Sequence, residues 1–222
     1  MQVTESGTLL ENEPVSSPFL RFLGHLISYL LHPVFLIGWI SYYLLFINPS
    51  VFVGKDSYQK TLVLLRIFST GIFLPLMTVL LLRGLKFIDS IQLKTQRERI
   101  IPYVACITFF FWNYYVSKKL GDPVELRAFL LGLFITACAS LIINNYFKVS
   151  MHAIGAGGLF ALFSVLLFAN RLEEGIYLLL AILLAGLTCT ARFIVSDHRP
   201  FEIYFGFFTG LCIQIFSWYF LN

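Results

Sequence analysis

Charge is what this sequence has least of. Asp, Glu, Lys and Arg make up 13% of its 222 residues, where a soluble domain carries about a quarter. That shortage excludes an ordinary water-soluble domain. Basic residues outnumber acidic ones by only 4, and they are scattered, which excludes the dense basic patch that nucleic-acid binders use to neutralise phosphates. Cysteine is equally sparse. Cys106, Cys138, Cys189 and Cys212 stand alone in apolar surroundings, without the paired spacing of a metal site or a disulfide framework, and read as small hydrophobes. A cleavable signal peptide is missing too. The first residues, Met1 to Pro18, are polar and carry Glu5, Glu11 and Glu13, with no basic start and short apolar core.

What is present is a series of long apolar runs. Hydrophobic residues make up 58% of the chain, and they cluster in blocks without an amphipathic period, the pattern of a polytopic membrane protein. The runs are Phe19–Ile47, Leu62–Leu82, Ile100–Val116, Ala128–Ile143, a stretch ending near Ala169, Ile176–Val195 and Tyr204–Leu221. No strand alternation, linker or repeat interrupts them. The expected fold is all-α, a polytopic bundle of six or seven transmembrane helices, with residues 1–18 a polar tail and residues 19–222 a single domain. Pro75 should kink its span. The runs at Ile100–Val116 and Ala128–Ile143 are short for a crossing, so tilt or local thinning of the bilayer is expected there.

Polar side chains gather between the runs. Arg192, Asp197, His198, Arg199 and Glu202 fall within eleven residues between the last two spans. Glu202 lies four residues after His198, so the two meet on one face if the helix has already begun. A cation, an imidazole and a carboxylate together suit a phosphoryl group: Arg holds oxygens, His attacks or moves a proton, and the carboxylate orients the His. Ser150 and His152 precede a helix opening with Gly155, Gly157 and Gly158, where a hydroxyl, free N–H groups and an imidazole can receive an anion. Lys94, Arg97 and Arg99 lead into Pro102, and with Pro102 at a helix start they would form a phosphate-binding lip. The competing reading of each cluster is a solvated loop that anchors span ends. His25 and His32, seven apart, would share a helix face. Their simpler reading is structural, since His32 precedes Pro33 and a bent helix can satisfy it internally.

Two apolar segments separate the Lys94–Arg99 cluster from Ser150–His152, and two more separate that from Arg192–Glu202. If every segment crosses, all three clusters lie at one membrane face. Lys and Arg divide almost evenly between the faces, so charge does not orient the chain.

In this order the motifs resemble those of the type 2 phosphatidic acid phosphatase superfamily, the metal-independent membrane lipid phosphatases. That family carries a Lys followed by Arg-Pro, then Ser-Gly-His, then Ser-Arg with five residues before His and three more before Asp. Here the third motif reads Ala191-Arg192, five residues, His198, three residues, Glu202, and the second reads Ser150-Met151-His152. Ala191, Met151 and Glu202 replace the family's Ser, Gly and Asp, and the first motif is loose, with Arg99 two residues short of adjoining Pro102. The resemblance implies that His198 is a nucleophile forming a phosphohistidine, that Glu202 orients it, and that His152 protonates the leaving oxygen. It implies phosphate binding by Lys94, Arg99, Ser150 and Arg192, with Arg97 a substitute for Arg99, and no metal or other cofactor. The implied partners are the bilayer and a phosphorylated lipid, either a phospholipid or a polyprenyl carrier such as undecaprenyl diphosphate. The implied location is a bacterial inner membrane with the site on the periplasmic or outer face. The alternatives are a lipid phosphotransferase, or a non-catalytic protein of the same fold that binds or transports phospholipids.

Overall fold

A computed structural model describes residues 17–93, 95–171, 175–196 and 198–222. Lys94, Asp197 and nearly all of the polar tail lie outside the described residues. Within them the chain is helical, with no strand. The helices are α1 (Pro18–Leu30), α2 (Pro33–Tyr42), α3 (Ser57–Phe68), α4 (Leu74–Gly84), α5 (Gln96–Lys119), α6 (Val124–Asn144), α7 (Met151–Phe168), α8 (Ile176–Val195) and α9 (Pro200–Leu221). A π-helical turn at Tyr43–Ile47 extends α2, and another at Ser69–Phe73 joins α3 to α4.

Six segments are long and apolar enough to cross a membrane, α3 with α4 counting as one of 28 residues, and α1 with α2 makes a seventh if the bent pair is a single span. Large apolar side chains such as Phe22, Trp39, Leu81, Trp112, Leu183 and Phe208 face outward, which water would penalise and lipid accepts. The chain is therefore an integral membrane protein.

Prolines set the two irregular spans. Pro33 disfavours helical backbone at the residue before it, and His32 is extended at φ −62°, ψ 137°. The α1–α2 pair consequently bends by 54°. His25 lies within α1 and His32 in the break, so the two do not share a helix face as the sequence suggested. Pro75 lacks the N–H that would serve the Gly71 carbonyl, and the chain widens into the Ser69–Phe73 π turn just before it. The expected distortion is present in that form.

The two short apolar runs become full-length helices. α5 has 24 residues and α6 has 21, about 36 and 31 Å at the helical rise, which matches a hydrocarbon core of about 30 Å without thinning. α5 gains its length because Thr95 and Glu98 form a capping box, starting the helix at Gln96 among polar residues. Pro102 accordingly sits in the second turn, not at the helix start.

α7 is the central helix, with 56% of its spanning window buried against 22% for α5 and α8. It packs on α8, α9 and α2, while α6 bridges α5 and α9, and α1 lies along α8. The tightest contact is the parallel pair α7–α9. A Cβ on Gly157 would overlap the Phe207 carbonyl, and one on Gly210 would overlap the Ile154 carbonyl. Only glycine at both positions permits this backbone-to-backbone approach.

Gly157→Leu or Gly210→Leu should therefore lower thermal stability in detergent by about 1–3 kcal/mol or more, the cost of overpacking. Gly186→Ala, where an added Cβ meets nothing within 4 Å, should leave it unchanged or slightly raised.

Candidate functional site

The site lies where the starts of α5, α7 and α9 meet the ends of α1 and α8. Its hub is the short approach to α7. The Val149 carbonyl accepts from Arg99 Nη1 at 3.1 Å, and the Ser150 N–H donates to the Glu202 carbonyl at 3.4 Å. The Arg99 side chain and the Glu202 backbone, far apart in sequence, are thus tied to neighbouring peptide groups. Ser150 is fully buried, and its hydroxyl accepts the Ala153 N–H at 3.4 Å as the N-cap of α7. Its visible role is to start the helix that carries His152.

His198 precedes α9, which begins at Pro200, so its contact with Glu202 does not come from a shared helical face. Glu202 is instead the third residue of α9 and reaches back over the helix start. Its Oε2 accepts from His198 Nδ1 at 2.9 Å and from the Arg199 N–H at 3.2 Å. The carboxylate thereby fixes the ring and leaves Nε2 of His198 as the unengaged nitrogen of that pair. The His198 side chain is 5% exposed. The Ser196 hydroxyl, which donates to the Arg192 carbonyl, accepts the His198 N–H at 3.4 Å and pins the loop to the last turn of α8.

Carbonyl oxygens hold the Arg99 cation. Arg99 is buried in the first turn of α5 and donates through Nε to the Leu93 carbonyl at 3.0 Å as well as to Val149. Among the described residues it has no carboxylate partner, because the adjacent Glu98 is spent on the Thr95 cap, accepting the Thr95 N–H at 3.0 Å. Arg97 is exposed. Two residues back along the helix is about 200° around it, so Arg97 faces away from Arg99. Arg192 Nη1 donates to the Ser28 hydroxyl at 3.4 Å. His152 lies on the first turn of α7, with Nε2 3.0 Å from the Ser28 carbonyl. Beside it, Met151 accepts from the Tyr103 hydroxyl through Sδ at 3.1 Å, filling space that a glycine would leave open.

Arg99, His152, Arg192, His198 and Glu202 therefore converge at one end of the bundle, and the charges of Arg99 and Arg192 both act on His198. Of the other expected residues, Lys94 lies outside the described residues, Arg97 points away, and Ser150 caps a helix. Sequence reasoning under-read His32 and Ser28. The ring of His32 stands edge-on to that of His152, with centroids 4.9 Å apart and planes at 89°. The one signal for it was its position before Pro33, in a chain with only 4 histidines. No group of three or more His, Cys, Asp or Glu side chains among the described residues is placed to share a metal ion.

An apolar groove begins beside His32, at Leu31, and runs between α2, α7 and α8. It has a volume of about 390 Å³ and is lined by Leu36, Trp39, Leu159, Phe163 and Leu180 among others. The opposite face of the bundle has a different character. There Arg66 pairs with the buried Asp122, which also accepts from Ser117, and Arg171 pairs with the buried Glu125 at 3.5 Å.

Comparison with protein-family models, with curated proteins and with solved structures returns no match to this chain.

Burial holds the His198 imidazole below its ordinary value. The Glu202 hydrogen bond and charge oppose that shift, and the Arg99 and Arg192 charges add to it. His198 should therefore titrate below about 6.5 when followed by histidine NMR in micelles, and Glu202→Gln should push the midpoint lower still. The unfolded chain takes up this proton at a higher pH than the folded one. Stability should accordingly fall as pH drops below the ordinary histidine value toward that of folded His198.

Proposed function

We propose that the protein is a membrane lipid phosphatase, a divergent relative of the type 2 phosphatidic acid phosphatases, acting through a phosphohistidine. The observation that carries this reading is the gathering of two guanidinium groups, the His198–Glu202 pair and His152 at one membrane surface, from segments about a hundred residues apart. Among the described residues the buried Arg99 is held by carbonyl oxygens and has no carboxylate partner, whereas at the opposite face Arg66 and Arg171 each have an acid. A guanidinium held in this way near the bilayer surface is stabilised by an anionic ligand.

Arg99 and Arg192 hold the phosphoryl oxygens and offset the charge that builds on them. Nε2 of His198 gives its electron pair to phosphorus, and the phosphorus–oxygen bond to the lipid breaks. Glu202 accepts the hydrogen bond of the resulting imidazolium, as an orienting carboxylate does in other nucleophile–base pairs. His152 takes up the proton of the bound phosphate group and gives it to the departing oxygen. Water then attacks phosphorus, the phosphorus–nitrogen bond breaks, His152 takes the water proton, and inorganic phosphate leaves.

The apolar groove beside the pocket supports a lipid substrate, since an acyl or polyprenyl chain can lie along α7 while its phosphate reaches the cluster. The proposed setting is a bacterial inner membrane, with the site turned to the periplasmic or outer surface, where such head groups are recycled.

Purified protein should release phosphate from phosphatidate, phosphatidylglycerol phosphate or undecaprenyl diphosphate. His198→Ala should reduce that release by about a thousandfold or more. Glu202→Gln should cost roughly 10²–10⁴-fold, the range seen when an orienting carboxylate is neutralised. An inert wild-type protein, or turnover retained in His198→Ala, refutes the reading.

A further inference from the structure

The mechanism leaves His32 without a task, yet His32 touches a residue that has one. It occupies the break of the first bent span, where Pro33 fixes the backbone. Its Nδ1 accepts the Val34 N–H at 3.3 Å as the N-cap of α2. Neutral His32 therefore carries its proton on Nε2. The break also changes the end of α1. In a continuous helix the His32 N–H would serve the Ser28 carbonyl, but here it turns to Tyr29 at 3.3 Å. The released Ser28 carbonyl takes His152 Nε2 at 3.0 Å instead. A carbonyl only accepts, so Nε2 of His152 bears hydrogen and Nδ1 is its remaining nitrogen.

The same segment closes around the ring. His32 packs edge-on across His152 at 4.9 Å. Pro33 and Leu36 lie against Gly155, one turn on from His152, where an added Cβ would sit 3.6 Å from Pro33 Cβ and 3.3 Å from Leu36 Cδ1. Histidine is the side chain that supplies both a cap acceptor and an aromatic edge at this place. Asn would cap without a ring, and Phe would give a ring without a cap.

We propose that His32 is a positioning residue of the pocket: clamped in the break between α1 and α2, it holds the His152 ring against Ser28 so that Nδ1 of His152 is the atom that hands a proton to the leaving oxygen of a phosphorylated lipid. This rests on the phosphatase reading above. It makes the bent first span part of the site and not only an anchor. The groups around His152 are Ser28 from α1, His32 from the break, Arg192 from α8 and His198 from the last loop. Among the described residues Glu202 is the acid near them, and it is already engaged with His198.

The test compares two substrates on the full-length protein in micelles. Dioctanoyl phosphatidate has an alkoxide leaving group that needs a proton, and p-nitrophenyl phosphate has one that does not. His32→Asn, which keeps the α2 cap, should lower kcat on phosphatidate by about ten- to a hundredfold, within the range of general-acid effects, with KM changed by less than about threefold. Its loss in the first-turnover burst of nitrophenolate, which precedes hydrolysis of the phosphohistidine, should be much smaller. His152→Ala should show the same split in the first turnover, while His198→Ala loses both substrates. Nitrogen NMR of the ring should show His152 protonated on Nε2 in wild type, and a mixture of tautomers in His32→Asn.

Equal losses on phosphatidate and in the nitrophenolate burst, or an unchanged kcat on phosphatidate, overturn the assignment of His32. If wild type hydrolyses neither compound, the NMR spectrum judges His32, and the phosphatase reading fails by itself if phosphatidylglycerol phosphate and undecaprenyl diphosphate are left intact as well. A wild-type His152 protonated on Nδ1, or an Nε2 tautomer unaffected by His32→Asn, overturns it there.

Discussion

The structure depends on two helix backbones touching. α7 and α9 run parallel with Gly157 facing the Phe207 carbonyl and Gly210 facing the Ile154 carbonyl, an approach no side chain would allow. Both helices begin at the same membrane surface, so the groups at their starts are brought together by the contact below them. His152 rides on the first turn of α7, and Glu202 on the first turn of α9 with His198 just ahead of it. The site inherits its geometry from rigid elements, with only the few residues between α8 and α9 left to a loop. α6 then brings α5 and Arg99 in from one side, through reciprocal bonds between Gln96 and Asn144 at 2.7 and 2.8 Å. α8 and α1 bring Arg192 and Ser28 from the other.

Charge near a bilayer is costly unless something offsets it, and the two faces of this bundle do so differently. On the face away from the site, basic groups meet buried acids: Arg66 with Asp122, Arg171 with Glu125. On the site face, carbonyl oxygens of Leu93 and Val149 hold Arg99, and Ser28 serves both Arg192 and His152. Dipoles orient the Arg99 cation without cancelling its charge. The Pro33 break is part of the same arrangement, since it releases the carbonyl that His152 needs.

The fold was legible because burial in lipid leaves few choices. Apolar runs in blocks imply helices, and their number gave six or seven spans, which the structure repeats. Span ends were misread where polar residues joined a helix, as at Gln96, because capping by Thr95 and Glu98 outweighs the loss of hydrophobicity there. The meeting of Arg99, His152 and Arg192–Glu202 followed from counting crossings, a constraint that needs no side-chain detail. Side-chain roles were less legible. Ser150 turned inward as a cap, and Arg97 fell on the wrong side of its helix once the start of α5 moved forward. His32 was undervalued because its partner is 120 residues away and no local pattern announces a contact between rings.

α7 also links the charged pocket to the apolar groove. His152 stands on its first turn, and Leu159 and Phe163 line the groove further along. Eleven residues of helix place Phe163 about 16 Å below His152, more than half the thickness of a hydrocarbon core of about 30 Å. If the proposed lipid phosphate binds here, one rigid helix fixes how far its apolar chain can descend while the phosphate stays among the cations. A water-soluble phosphate ester could reach the same cations but would leave the groove empty, forgoing the apolar burial of roughly 0.8 kcal/mol per methylene that a lipid chain gains over exposure to water. For a substrate already in the bilayer that gain is small, because its chain exchanges one apolar surrounding for another. In that proposal the groove contributes alignment more than affinity, and selection among lipids would fall to chain shape along α2, α7 and α8 and to the fit of the head group between Arg99 and Arg192.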